Sequence, residues 1–256
     1  MELMRGFETA RKTESVHAAT GIAGNGTSRN FAAAFVRHFP LFSGISLTAC
    51  EEIVSAARER TFSRRQTIFL QGDPIEKVIL LTSGSVKTTQ LSQNGGEVIL
   101  RLCGAGDLIG TCGGSSKGRR HRSIAQTLRS SKTLVWDAAI FESLSVRHPV
   151  LRQNAARILD EHLGDLEERY REISTESVSL RLSREISRLA NRIGEEVKGS
   201  IKINLAREEL AQLTGTTIFT VSRLLTQWKK QGIVSPGREL IMVRDPTALA
   251  ELSKME

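Results

Sequence analysis

The sequence predicts an α+β fold, because three textures follow one another along its 256 residues. Between 61 and 137, short apolar runs alternate with Gly, Pro, Asn and Asp turn signals, the mark of an antiparallel sandwich or barrel. After Asp137 the apolar period lengthens to that of helices. Near the C-terminus two short helical patterns flank a glycine, and a strand pair follows. The length suits roughly two domains with a sizeable core.

Residues 1–38 are rich in Ala, Gly, Ser, Thr and Asn, and the run Gly21-Ile-Ala-Gly-Asn-Gly-Thr-Ser28 can bury little surface. They are expected to form a flexible arm, with one helical turn between 2 and 12. Glu2, Glu8 and Glu14 speak against a targeting peptide. From Phe39 the texture changes. Residues 46–60 read as a short helix capped by Ser46 or Thr48. Strands are expected at Thr67–Leu70, Lys77–Leu81, Ser85–Leu91, Glu97–Leu102, Ser123–Leu128 and Thr133–Trp136. Asn94-Gly95-Gly96 is a strong hairpin signal. Together they define a domain over 39–148.

Ala138–Leu144 reads as a short helix. Pro149 suits the first turn of a long one, where its missing N–H costs nothing. Along it Ala156, Leu159, Leu163, Leu166, Tyr170 and Ile173 alternate spacings of 3 and 4, a heptad seam. A second copy would supply the same seam across a two-fold axis, so a homodimer is expected. The plainer alternative lays the helix on its own domain. Ser174–Ser177 reads as a hinge, closing a segment over 149–176. Val178–Ile193 is amphipathic, with Leu182, Ile186 and Leu189 inward, and opens a C-terminal domain over 177–256. Ser200–Leu205 reads as a strand.

Asn204 to Lys230 is the most informative stretch. Leu210, Ala211 and Leu213 form the inner side of a first helix. Gly215 follows Ala211 by four residues, where the chain must turn sharply. Thr216 or Thr217 caps a second helix. Val221, Leu224, Leu225 and Trp228 make its buried stripe. Its other face carries Thr217, Ser222, Arg223 and Lys229, side chains that suit the major groove of DNA. An ordinary pair of packed helices is the plainer alternative. Ile233–Val243 reads as a β-hairpin wing turning at Pro236-Gly237.

Lys and Arg number 36 against 28 Asp and Glu, a net charge of +8, which favours a polyanionic partner. No apolar run reaches the roughly 18 residues of a membrane span. Without an apolar signal core at the N-terminus, a cytoplasmic location is expected. Cys50, Cys103 and Cys112 are widely spaced and form no CxxC, which speaks for reduced thiols and against a cysteine-held metal. No Ser/His/Asp set, carboxylate pair or P-loop stands out, so no enzyme is expected.

In this order of parts the chain resembles the CRP/FNR family of bacterial transcription regulators, from about Phe39 to Leu252. The matching segments are Pro40-Leu-Phe-Ser-Gly-Ile-Ser46, Gly104-Ala-Gly-Asp-Leu-Ile-Gly110, Arg122-Ser123, and Ser177-Val-Ser-Leu-Arg-Leu182 with Leu189-Ala190. The most specific is Leu205–Leu225. The resemblance implies a cyclic-nucleotide-binding-type β jelly roll, a long dimerisation helix and a winged helix-turn-helix. It further implies a homodimer on a two-fold symmetric operator in double-stranded DNA, with RNA polymerase and a small anionic effector as other partners.

The departures from the family bear on the signal. Members that bind cyclic AMP hold its ribose with a Glu and its phosphate with an Arg-Ser pair. Arg122-Ser123 matches that pair, and guanidinium plus hydroxyl is sound anion chemistry. The Glu position falls on Thr111 or Cys112, after Gly110, and the positions that would face the adenine are Leu166 and Glu167. Gly110, Arg122 and Ser123 are therefore effector candidates for a different anion; the alternative is a vestigial pocket beside a solvated basic loop. Iron–sulfur members need four cysteines, most of them in the N-terminal arm, and this arm has none, so no cluster is expected. His121, His148 and His162 are the candidate haem ligands, with ordinary surface roles as the plainer reading. Cys103 and Cys112 flank the Gly104–Gly110 turn, either to report oxidation or simply to fill the core.

The family reads bases with a Glu and an Arg one turn apart, with Ser before the Arg in one branch. Ser222 and Arg223 match, but Phe219 stands at the Glu position and Ile218 precedes it. Arg223 can still bond guanine O6 and N7, while Phe219 either faces a thymine methyl or packs on the domain. The expected DNA face is Thr216, Thr217, Ile218, Phe219, Ser222, Arg223, Lys229 and Lys230. The rival reading is a signal-binding module whose jelly roll acts on a protein partner.

Overall fold

The computed structural model describes residues 33–91, 96–110 and 118–253. The helical turn expected at 2–12, the hairpin tip at Asn94-Gly95 and the positions Thr111 and Cys112 lie outside the described residues. Residues 33–38 do not belong to a flexible arm. A helical turn at 33–36 buries Ala33 and Val36, and Phe35 meets Phe39 edge-on with ring centroids 5.2 Å apart.

The helix expected over 46–60 is shorter. Helix α1 spans Leu47–Ser55, capped by Ser46, whose hydroxyl accepts from the Ala49 N–H. The chain then enters strand β1, Arg58–Phe62. Its Arg-Glu-Arg-Thr-Phe run lacks alternation because β1 is an edge strand, paired only with β8. Exposed charges suit such an edge, since they discourage pairing with another chain.

The remaining strands are β2 Thr67–Phe69, β3 Lys77–Ser83, β4 Val86–Leu91, β5 Glu97–Cys103, β6 Leu108–Ile109, β7 Ile124–Thr127 and β8 Ser131–Asp137. They form two antiparallel sheets, β1-β8-β3-β6 and β2-β7-β4-β5. Phe69, Ile79, Leu81, Val86, Cys103, Ile109, Ala125 and Val135 make one core of this jelly roll. A second core lies under the helices, where Trp136 is fully buried and its indole N–H donates to the Ile53 carbonyl at 2.7 Å.

Helix α2, Ala138–Arg147, leads into the 27-residue α3, Pro149–Thr175. The first half of α3 is anchored by buried Leu151, Ala155 and Ile158, and by Asn154, which donates to the Leu41 and Ser43 carbonyls. The hinge is narrower than 174–177. Helix α3 persists to Thr175, and Ser177 already caps α4, Val178–Ile193, by accepting from the Leu180 N–H.

The C-terminal unit continues with β9 Glu195–Val197, β10 Ser200–Ile203, α5 Arg207–Thr214, α6 Ile218–Lys230, β11 Val234–Pro236, β12 Ile241–Val243 and α7 Pro246–Leu252. Its sheet runs β11-β12-β10-β9. Its core of Leu182, Ile186, Leu210, Val221, Leu225 and Trp228 extends without a break to Ile99 and Leu102 on β5 of the jelly roll. Among the described residues no helix is long and apolar enough to cross a membrane.

Candidate nucleic-acid interface and effector residues

Helix α5 ends at Gly215, whose left-handed φ of 59° needs a residue without Cβ strain. The turn is closed by the Thr216 N–H donating to the Ala211 carbonyl at 3.0 Å. Of the two candidate caps, Thr217 performs the role: its hydroxyl accepts from the Thr220 N–H at 3.2 Å. Val221, Leu224, Leu225 and Trp228 are buried. The outer face of α6 is open, and Phe219 is 83% exposed. At about 100° per residue, Phe219, Arg223, Thr226 and Lys230 fall along one line of that face. Ser222 and Lys229 flank it on one side and Gln227 on the other. Thr226 and Gln227 are also exposed and lie outside the expected DNA face; helical spacing from Phe219 is the signal that points to them. Thr216, Ile218 and Ser222 are half-buried, whereas Thr217, Lys229 and Lys230 are exposed. Among the described residues Arg223, Lys229 and Lys230 have no acidic partner, so the cationic face is not neutralised internally.

The wing turn is closed by Gly237 N–H donating to the Leu240 carbonyl at 2.8 Å. Next to it, Glu239 pairs with Arg64 and Arg65 of the β1–β2 turn. The recognition unit thus touches the jelly roll at its wing as well as at β5.

In the jelly roll, Gly110 has φ +86°, and a Cβ there would lie 3.0 Å from Phe69 Cζ and 3.2 Å from His121 Cε1. His121 is buried and stacks on Phe69 with centroids 3.6 Å apart and planes 12° apart. Burial pushes its pKa down, partly opposed by Asp73. Arg122, the next residue, is exposed without an ion-pair partner among the described residues, and Ser123 is half-buried. Gly110 is therefore walled by His121 and Phe69, with the Arg122-Ser123 pair adjoining.

The three haem candidates lie apart. His121 is in that stack; His148 Nε2 is 2.9 Å from Glu52 Oε2; His162 Nδ1 is 2.9 Å from an Arg101 nitrogen. Burial, aided by Arg101, lowers the His162 pKa to about 4. Cys103 is 1% exposed, and burial raises its thiol to about 11, so it stays protonated at neutral pH.

Helix α3 has two unlike faces. Ala156, Leu159, Leu163, Leu166, Tyr170 and Ile173 are all exposed, Tyr170 at 75%. The row packed against α4 and β5 is ionic. Arg169 donates to the Leu100 carbonyl at 2.9 Å and reaches Glu185 at 3.3 Å, and Glu172 receives both terminal nitrogens of Arg188.

Residues 59–148 match the family model of the cyclic nucleotide-binding domain, and residues 166–252 match that of the Crp-like helix-turn-helix domain. Electron transport regulator A of Shewanella oneidensis is 29% identical over 190 residues, covering 73% of this chain and 75% of that protein. The CRP-like cAMP-activated global transcriptional regulator of Mycobacterium tuberculosis is 24% identical over 216 residues, covering 84% of this chain and 96% of that protein. FixK2 from Bradyrhizobium japonicum shares the fold, with a TM-score of 0.68 at 21% identity, over 78% of this chain and 98% of that one.

Proposed function

Because the chain belongs to the CRP/FNR family of DNA-binding transcription regulators, we propose that it acts as a homodimer on a two-fold symmetric operator. The observation that carries this is the uncovered apolar row of α3, in the same chain as a helix-turn-helix with an open, cationic outer face. A second copy packed along Ala156, Leu159, Leu163, Leu166, Tyr170 and Ile173 buries that row and presents two recognition helices related by the same axis. Residues 39–148 serve as the effector domain, 149–176 as the dimerisation segment and 177–256 as the DNA-binding domain.

Thr216, Thr217, Ile218, Phe219, Ser222, Arg223, Lys229 and Lys230 form the DNA contact, joined by Thr226 and Gln227. Gly110, Arg122 and Ser123 are the effector contacts in this reading. Thr111 or Cys112 in place of the ribose-binding Glu supports a signal other than cyclic AMP bound in the usual way, and Arg122, without an ion-pair partner among the described residues, suits an anion. The separate places of His121, His148 and His162, each engaged by a protein neighbour, do not support a haem site built from them. An arm without cysteine does not support an iron–sulfur cluster.

Selection of purified protein against a random oligonucleotide pool tests the reading. A palindromic motif is expected, with half-sites about one helical turn, about 34 Å, apart. A single asymmetric half-site would overturn the two-fold assembly. No enrichment at all would favour action on a protein partner.

A further inference from the structure

Arg181 sits in the first turn of α4, where a positive charge opposes the helix's own positive end. Locally the choice is unfavourable, yet the residue is buried to 8% exposure. Its side chain serves other helices instead. Nε donates to the Thr214 carbonyl at 3.1 Å, and one terminal nitrogen donates to the carbonyls of Ile173 at 3.2 Å and Glu176 at 2.9 Å. Thr214 ends α5, and Ile173 lies in the last turn of α3. Helix C-termini leave such carbonyls without partners in their own helix, and their negative ends favour a cation. One buried guanidinium therefore joins the end of the long helix to the end of the first helix of the helix-turn-helix. Packing repeats the link, because a Cβ on Gly215 would lie 3.5 Å from Ile173 Cδ1. The recognition helix starts at Ile218, just beyond this turn.

We propose that Arg181 is a positioning residue for DNA recognition: it fixes the recognition helix relative to the end of α3 and so sets the half-site spacing that two protomers accept. The inference rests on the two-fold reading above. Arg181 faces carbonyls rather than the outer face of α6, so its part is geometric. A planar guanidinium meets several fixed acceptors at once, which a lysine ammonium on a flexible stem does not reproduce.

The test uses the full chain, its selected operator with the half-sites moved one or two base pairs closer or farther, and a single half-site duplex. Wild type should lose about tenfold or more in affinity when the spacing is wrong, because only one half is then engaged. In Arg181→Gln that loss should shrink to about threefold or less, with single-half-site affinity kept within about twofold. Arg181→Lys, the second variant, should behave like Arg181→Gln because it keeps the charge but not the planar fork. Variants that keep the wild-type spacing profile would overturn the inference while leaving the two-fold reading intact. Loss of single-half-site binding in both variants would also overturn it, marking Arg181 as support for the domain's fold. A wild-type protein indifferent to spacing would sink the two-fold reading and the inference with it.

Discussion

Phe219, the most exposed large apolar side chain among the described residues, stands one helical turn before Arg223. Arg223→Ala should cost about 1–3 kcal/mol of operator affinity and relax preference at one guanine, since a bidentate arginine contact is worth that much. At the neighbouring pair Phe219 offers a ring face to a thymine methyl but accepts nothing from cytosine N4. Phe219→Glu should therefore bring back the cytosine-paired preference of the family. Random-pool selection with both proteins checks this, and identical motifs would mean that Phe219 does not face the bases. The substitution itself was legible in the sequence. Its exposure was not, because packing on the domain was the open alternative. His162 is a different case. Its place beside Arg101 could not be read from spacing, since 61 residues separate the pair. Burial and that neighbour hold its pKa at about 4, below the ordinary 6.5. Below pH 6.5 the unfolded chain binds a proton that the folded chain resists, so stability is lost as pH falls from 6.5 toward 4. The carboxylates add their own acid loss, so the readout is a difference. Melting temperature should drop less between about pH 7 and about pH 5 in His162→Gln than in wild type. Equal drops would show that His162 does not carry the effect.

Helix α3 shows how far element-scale reading goes. The apolar row from Ala156 to Ile173 was legible because heptad spacing is a local property. With the row uncovered in one chain, Leu163→Glu should place like charges near the two-fold axis and give monomers. Sedimentation velocity checks this, and an unchanged dimer would remove the seam from the interface. The monomer should also bind a full operator little better than a half-site. The ionic row of the same helix was not legible. His162, Asp165, Arg169 and Glu172 look like any solvated face until α4 supplies Glu185, Arg188 and Arg192 and the jelly roll supplies Asp107 and the Leu100 carbonyl. The helix-turn-helix was legible because Gly215 and Val221 fall at fixed distances from Ala211. Strand β1 is not legible because this edge strand carries no apolar alternation, and β9, Glu-Glu-Val, is too short and polar to signal.

At the scale of the whole molecule, magnitudes decide what joins the recognition unit to the jelly roll. Ion pairs span the contact: Lys87 with Glu209 at 3.7 Å, Arg192 with Asp107 at 3.5 Å and Arg129 with Glu195 are half-buried, whereas Arg64 and Arg65 meet Glu239 at the surface. The exposed pairs contribute about 0–1 kcal/mol each and are screened by salt, and the half-buried ones are offset by the cost of desolvating their charges. The apolar contact holds more strongly. Leu102 is fully buried and Ile99 nearly so, and both belong to the core that holds Leu210, Val221 and Trp228. Truncating a buried leucine to alanine costs about 2–5 kcal/mol. Here the loss falls on a core that two units share. Wild type should therefore melt in one calorimetric transition, and it should still do so in about 1 M salt, where the Debye length is about 3 Å. Leu102→Ala should lower the melting temperature and split the transition in two, as the recognition unit and the jelly roll unfold apart. If salt alone splits the wild-type transition, the ion pairs and not Leu102 hold the two units together. If neither change splits it, the units are coupled through α3 and α4, whose ionic row would then be the stronger joint.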